Sequence, residues 1–136
     1  RFPKAILVSH GKWLTVHQFD NAEQCFSSLK SHYSTILTTH LSGDAVSLHQ
    51  IDFTKSIALV FGNEHDGVSE EIRNIADGNF IIPQVGIIRS LNISVACAVT
   101  LYEAFRQKSQ AGHYNQSKLD DIRMKSLLVE WGLNEI

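Results

Sequence analysis

The sequence predicts an α/β domain with a mainly parallel sheet and helices on both faces, on three observations. Strand-like and helix-like stretches alternate along the chain. Ser56 to Phe61 (Ser-Ile-Ala-Leu-Val-Phe) is a continuous apolar run, as expected of a central parallel strand buried on both faces. Leu91 to Phe105 is helix-length and apolar almost all the way round, through Leu91, Ile93, Val95, Ala96, Val99, Leu101, Tyr102 and Phe105. A helix with one wet face would show only a stripe, so this one is expected to be covered on two sides, by its own sheet and by a partner subunit.

The remaining elements follow in order. Lys4 to Ser9 is strand-like between Pro3 and Gly11, and Trp13 to Phe19 is rich in β-branched and aromatic residues. Asp20 or Asn21 caps a helix from Ala22 to about His32, with Cys25, Phe26 and Leu29 on one face. Thr35 to Thr39 returns as a strand, followed by a turn at Leu41-Ser42-Gly43-Asp44 and an irregular stretch to Phe53. Beyond the Ser56 to Phe61 strand lies the loop Gly62-Asn63-Glu64-His65-Asp66-Gly67. Ser69 caps a short helix with Glu70 and Glu71 in its positive first turn and Ile72, Ile75 and Ala76 as its apolar side. A strand at Phe80 to Ile82 stops at Pro83, and Ser90 and Asn92 are residue types that cap the long helix behind them. After Gln107 the chain turns polar, with a break at Gly112 and a last amphipathic piece from Ile122 to Trp131.

Composition sets bounds. With 136 residues the chain has room for one core and one domain. No apolar run reaches the roughly 18 residues of a membrane span, and no targeting segment is visible, so a cytoplasmic or organellar protein is expected. Cys25 and Cys97 have no metal spacing and read as small core residues in a reducing compartment. The net charge of −2 does not advertise nucleic-acid binding, which leaves that work to local basic residues.

The common nucleotide motifs are missing: there is no Gly-x-x-x-x-Gly-Lys-Ser/Thr and no Gly-x-Gly-x-x-Gly after a strand. The seven histidines form no His-x-x-x-His pair, so no metal site is expected, and Ser90 lacks the context of a nucleophile elbow. Two loops stand out instead. Gly62 to Gly67 and Gly86 to Asn92 would place polar groups and exposed N–H groups at neighbouring strand ends, which suits a small polar ligand held largely by backbone.

Those loops carry a family resemblance. Leu59-Val60-Phe61-Gly62-Asn63-Glu64 with Gly67 resembles the second signature motif of the SpoU (TrmH-like) branch of the SPOUT RNA methyltransferases. Ile82-Pro83-Gln84-Val85-Gly86 followed by Ser90-Leu91-Asn92-Ile93-Ser94-Val95-Ala96 resembles the third, and the similarity covers most of Trp13 to Tyr114. Within that branch the chain looks most like the tRNA guanosine 2′-O-methyltransferases that modify the D-loop.

The resemblance implies an S-adenosylmethionine-dependent RNA ribose 2′-O-methyltransferase, with tRNA as partner. The C-terminal part of the fold would form a deep trefoil knot, and the enzyme would be a homodimer through the last helix of the knot. Backbone around Thr39, Gly62, Ile82 and Leu91 would hold the cofactor. Asn63, Glu64, Ser90 and Asn92 would position the ribose and its phosphate and orient a catalytic arginine. That arginine belongs to the family's first motif, which Arg1-Phe2-Pro3 does not resemble and which would precede Arg1. The chain thus reads as a SpoU-type domain without its first strand and helix, a piece of a longer enzyme or a protein that lost them. A catalytically silent module for cofactor binding, RNA binding or dimerisation is the alternative.

Overall fold

Four short strands form an all-parallel sheet in a computed structural model that describes residues 14–40, 42–63, 67–87 and 90–133. They are β1 (Thr35–Thr39), β2 (Val46–Ser47), β3 (Ile57–Val60) and β4 (Gly78–Ile81), in the order β2-β4-β1-β3. Register places Leu37 beside Leu59 on one side of β1 and beside Gly78 on the other. Asp77 locks β1 to the start of β4: its Oδ2 accepts from the Ile36 N–H at 2.8 Å, and its own N–H donates to the Ile36 carbonyl at 2.9 Å. The described residues divide into two compact units, residues 20–114 and a second that joins residues 14–19 with residues 115–133.

In the larger unit, strand alternation sends neighbouring residues to opposite faces. Ile36, Ala58 and Val60 pack with Phe26 and Leu29 of α1 (Ala22–His32) and with Ile72 and Ile75 of α2 (Glu70–Ile75). Leu37, Ile57, Leu59 and Phe80 face the other way, onto Leu48, Ile51 and Phe53 and onto Ala104 of α3 (Ile93–Gln110). Both faces are therefore covered, as a parallel sheet requires. The helices begin where their caps dictate. The side chains of Asn21, Ser69 and Asn92 accept from the N–H groups of Gln24, Ile72 and Ser94.

Several elements depart from expectation. Within Ser56 to Phe61, residues Ile57–Val60 form a strand packed from both faces, but β3 lies at one end of the order among the described strands, and β4 and β1 are the inner pair. A continuous apolar run reports burial, which helices on two faces provide at an end position too. The stretch read as irregular holds β2 and a 3₁₀ turn at Leu48–Gln50, stabilised by a reciprocal Ser47–Gln50 cap. β4 starts at Gly78, two residues before the expected strand, because it pairs with β1 from Leu37 onward. Within Trp13 to Phe19, residues 14–19 form no strand, and Leu14 and Val16 are exposed; composition favours extended backbone, but a strand needs a paired neighbour. Lys4 to Ser9 lies outside the described residues. Cys25 and Cys97 are free and only half-buried, so neither is a full core residue.

The expectation for α3 is met on one side. Thr100 and Glu103 are buried and Ala104 packs on the sheet cluster, while Leu101 and Tyr102 are 57% and 71% exposed. Val95, Val99 and Phe105 are exposed as well, so within one chain the second apolar side is open. In the smaller unit, Asp120 caps α4 (Asp121–Glu130), on which Leu127 is buried. No helix among the described residues is long and apolar enough to cross a membrane.

Candidate functional site

Parallel strands end on the same edge, and here that edge opens into a cavity of about 820 Å³. Thr39 and His40 reach it from the end of β1, Phe61, Gly62 and Asn63 from β3, and Ile81 to Gln84 from β4. Ser90 to Ile93 close it from the start of α3, and Val68 and Arg73 add a wall on the α2 side. The position follows the general rule for open α/β sheets, and the volume lies within the roughly 300–1,000 Å³ of small-ligand pockets. Phe61 meets Phe80 edge-on beside it, with ring centroids 6.2 Å apart.

Gly62 is where backbone comes closest. A Cβ there would lie 2.0 Å from the Gly67 carbonyl carbon and 2.4 Å from the Val68 nitrogen, so no other residue fits without moving the chain. The approach is fixed by a two-bond bridge, with the Asn63 N–H donating to the Gly67 carbonyl and the Gly67 N–H to the Asn63 carbonyl, each at 3.2 Å. Gly67 turns with φ +65°, a conformation costly for residues with a Cβ. The loop after β1 is held from below by a chain of side-chain bonds. Thr38 donates to Asn79 at 2.7 Å, Asn79 to Ser42 at 3.3 Å, and Ser42 to Asp44 at 2.6 Å. The Ser42 hydroxyl holds the Asp44 carboxyl below its ordinary range.

All four residues expected at the cofactor, Thr39, Gly62, Ile82 and Leu91, line this cavity, and each is half-buried. Of the four expected to act on the substrate, Asn63, Ser90 and Asn92 line it and are exposed, while Glu64 lies outside the described residues. Asn92 also has a structural duty, since its Oδ1 accepts from the Ser94 N–H at 2.9 Å. Its amide NH₂ is left free of that duty and can meet a ligand.

Two lining residues escaped the sequence reading. Arg73 Nη1 donates to His40 Nε2 at 2.6 Å, while Arg73 Nε is shut off from solvent without a partner among the described residues. An unmet buried donor costs roughly 1–3 kcal/mol, so its retention calls for a reason. The only prior hint was the proximity of His40 to Thr39; nothing in linear spacing links position 73 to position 40.

The fold and the cavity define a class of α/β proteins with a pocket set between backbone loops at the carboxyl ends of parallel strands. The sequence model of the SpoU rRNA Methylase family matches residues 2–102, and the chain belongs to that family. A tRNA (guanosine(18)-2′-O)-methyltransferase of Aquifex aeolicus is 38% identical over 125 residues, 92% of this chain and 59% of the relative. The crystal structure of the A. aeolicus TrmH/SpoU tRNA modifying enzyme superposes with a TM-score of 0.84 at 37% identity, covering 96% of this chain and 66% of that one. A Sinorhizobium meliloti rRNA methyltransferase solved with AdoMet bound matches with a TM-score of 0.57 at 33% identity, over 63% and 33% of the two chains. The chain thus spans about three-fifths of the length of its Aquifex relative.

Proposed function

We propose that this chain is the S-adenosylmethionine- and nucleotide-binding domain of an RNA ribose 2′-O-methyltransferase acting on a guanosine in the D-loop of tRNA. The observation that carries the reading is the meeting of both motif segments on one cavity, half-buried residues within and exposed polar residues at the mouth. The names of the relatives favour an enzyme over a silent binding module and tRNA over other RNA. The bound AdoMet of the S. meliloti structure supports the choice of cofactor.

In this reading Thr39, Gly62, Ile82 and Leu91 hold the adenosine part of the cofactor through backbone N–H and carbonyl groups. S-adenosylmethionine supplies an electrophilic methyl group on a sulfonium. A ribose 2′-hydroxyl is a poor nucleophile, so the protein's tasks are to orient it in line and to assist loss of its proton. Asn63, Ser90 and Asn92, with Glu64, position the ribose and its phosphate, and they orient the arginine that the family's first motif contributes. The segment from β4 through α3 forms the family's deep trefoil knot, and the open apolar side of α3 meets a second copy to make a homodimer.

The test is transfer of labelled methyl by the full-length protein to a tRNA transcript, compared with a transcript carrying 2′-deoxyguanosine at the target. Incorporation that requires the free hydroxyl is expected. No transfer to any RNA, or transfer to a base, would overturn the reading.

A further inference from the structure

We propose that Arg73 is the contact for the carboxylate of the cofactor's amino-acid tail, an assignment that rests on the reading of the cavity as an S-adenosylmethionine site. Three observations lead there. Among the described residues lining the cavity, Arg73 alone carries a formal charge at neutral pH, and no described carboxylate lies within ion-pair distance of it. A ligand bearing a sulfonium and an ammonium would be repelled by an unmet guanidinium, unless its one anionic group is what the guanidinium meets.

The second observation is how the guanidinium is held. His40 engages Nη1 and so fixes one corner, leaving Nε and Nη2 as the side-on fork. That fork presents two parallel N–H groups at the spacing of a carboxylate's oxygens. The third is that Nε has no acceptor among the described residues and is closed to solvent in the present rotamer. A turn of the terminal torsions that gives up the present His40 geometry would bring the fork to the cavity, relieve the unmet Nε and deliver a bidentate contact. An RNA phosphodiester fits less well, because a polymer backbone docks at the mouth, where Asn63, Ser90 and Asn92 are exposed, rather than against a half-buried wall.

The experiment is calorimetric titration of the full-length protein and its Arg73→Leu and Arg73→Lys variants. The two probes are S-adenosylhomocysteine and 5′-methylthioadenosine, which keeps the nucleoside and thioether but lacks the amino-acid tail. Arg73→Leu should weaken S-adenosylhomocysteine by roughly tenfold or more, while 5′-methylthioadenosine stays within about twofold. Arg73→Lys should recover only part of the loss, since it restores charge without the fork. Equal weakening of both probes would mean a structural role and would overturn the assignment. So would unchanged binding of both with a raised KM for tRNA, which would make Arg73 a phosphate contact. Wild-type protein that binds neither probe would refute the proposed function and this assignment together. Wild-type binding that Arg73→Leu leaves intact would refute the assignment alone.

Discussion

Arg106 forks onto Glu103 one turn earlier on α3, Nη2 to Oε1 at 2.7 Å and Nε to Oε2 at 2.9 Å. Gln107 adds a third donor to Oε1 at 2.9 Å and spans to the layer below, where it also binds the Ile51 carbonyl and the Phe53 N–H. Glu103 is thereby the polar anchor of α3 on the segment that follows the 3₁₀ turn. The Arg106 hydrogen bonds, then that of Gln107, outweigh desolvation and hold its carboxyl at about 2, against an ordinary 4.5.

A carboxyl depressed in the folded state stabilises the protein fully above its ordinary value and loses that contribution as pH falls toward the folded one. Denaturant midpoints for wild type and Glu103→Gln should therefore differ at pH 7 and converge between about 4.5 and about 2. Parallel curves across that window would remove Glu103 from the account.

Gly62→Ala sets a Cβ 2.0 Å from the Gly67 carbonyl carbon, whereas Gly43→Ala meets nothing within 4 Å. The first should lower stability by at least the roughly 1–3 kcal/mol typical of overpacking and abolish cofactor binding; the second should be near neutral. The pair is checked by thermal melts with cofactor titration. Equal behaviour of the two variants would contradict the close approach at the Asn63–Gly67 bridge.

Asn92 caps α3 and, in the proposed mechanism, also positions substrate. Asn92→Ala should cost about 1 kcal/mol of stability through the cap alone. Asn92→Ser keeps a capping oxygen and loses only the amide, so it separates the two duties. Its expected signature is near-native stability and cofactor affinity with methyl transfer lowered at least about tenfold, the scale of a lost charge-assisted positioning contact. Native turnover in Asn92→Ser would leave Asn92 a cap and nothing more.

The open side of α3 carries Leu101 and Tyr102, with the Tyr102 and Phe105 rings tilted at 43° and their centroids 6.2 Å apart. If this is the dimer face, sedimentation of the wild type gives a dimer, and Tyr102→Glu shifts it toward monomer by placing an unpaired charge at a dry interface. Monomeric wild type at micromolar concentration would exclude the homodimer.

The burial of β3 and the starts of three helices are legible in the chain because each depends on local pattern, whereas the place of β3 at one end of the order is not. Apolar continuity marked Ser56 to Phe61, and capping residues marked the starts of α1, α2 and α3. β2 escaped because two residues carry no period, and its existence depends on Phe80 and Ile81 arriving beside it. Arg73 escaped for a related reason. On a six-residue helix it reads as a solvated charge, and only the packing of α2 near the end of β1 turns it toward His40. Thr39, Gly62, Ile82 and Leu91, which the motif resemblance assigns to the cofactor, lie far apart in the chain and meet at one cavity only through the fold, a proximity that spacing cannot encode.

The strand order β2-β4-β1-β3 also sets a timetable for the chain. β1 and β3 can pair as soon as residue 60 has left the ribosome, but β1 and β2 are not neighbours and must leave a strand-wide gap between them. β4 is made last and fills it, binding both sides at once. Until residues 78–81 emerge, at about 5–20 residues per second, the facing edges of β1 and β2 stay unpaired. Open edges of that kind can pair with a neighbouring nascent chain, and the wall of the cavity that β4 supplies is missing until that insertion is complete.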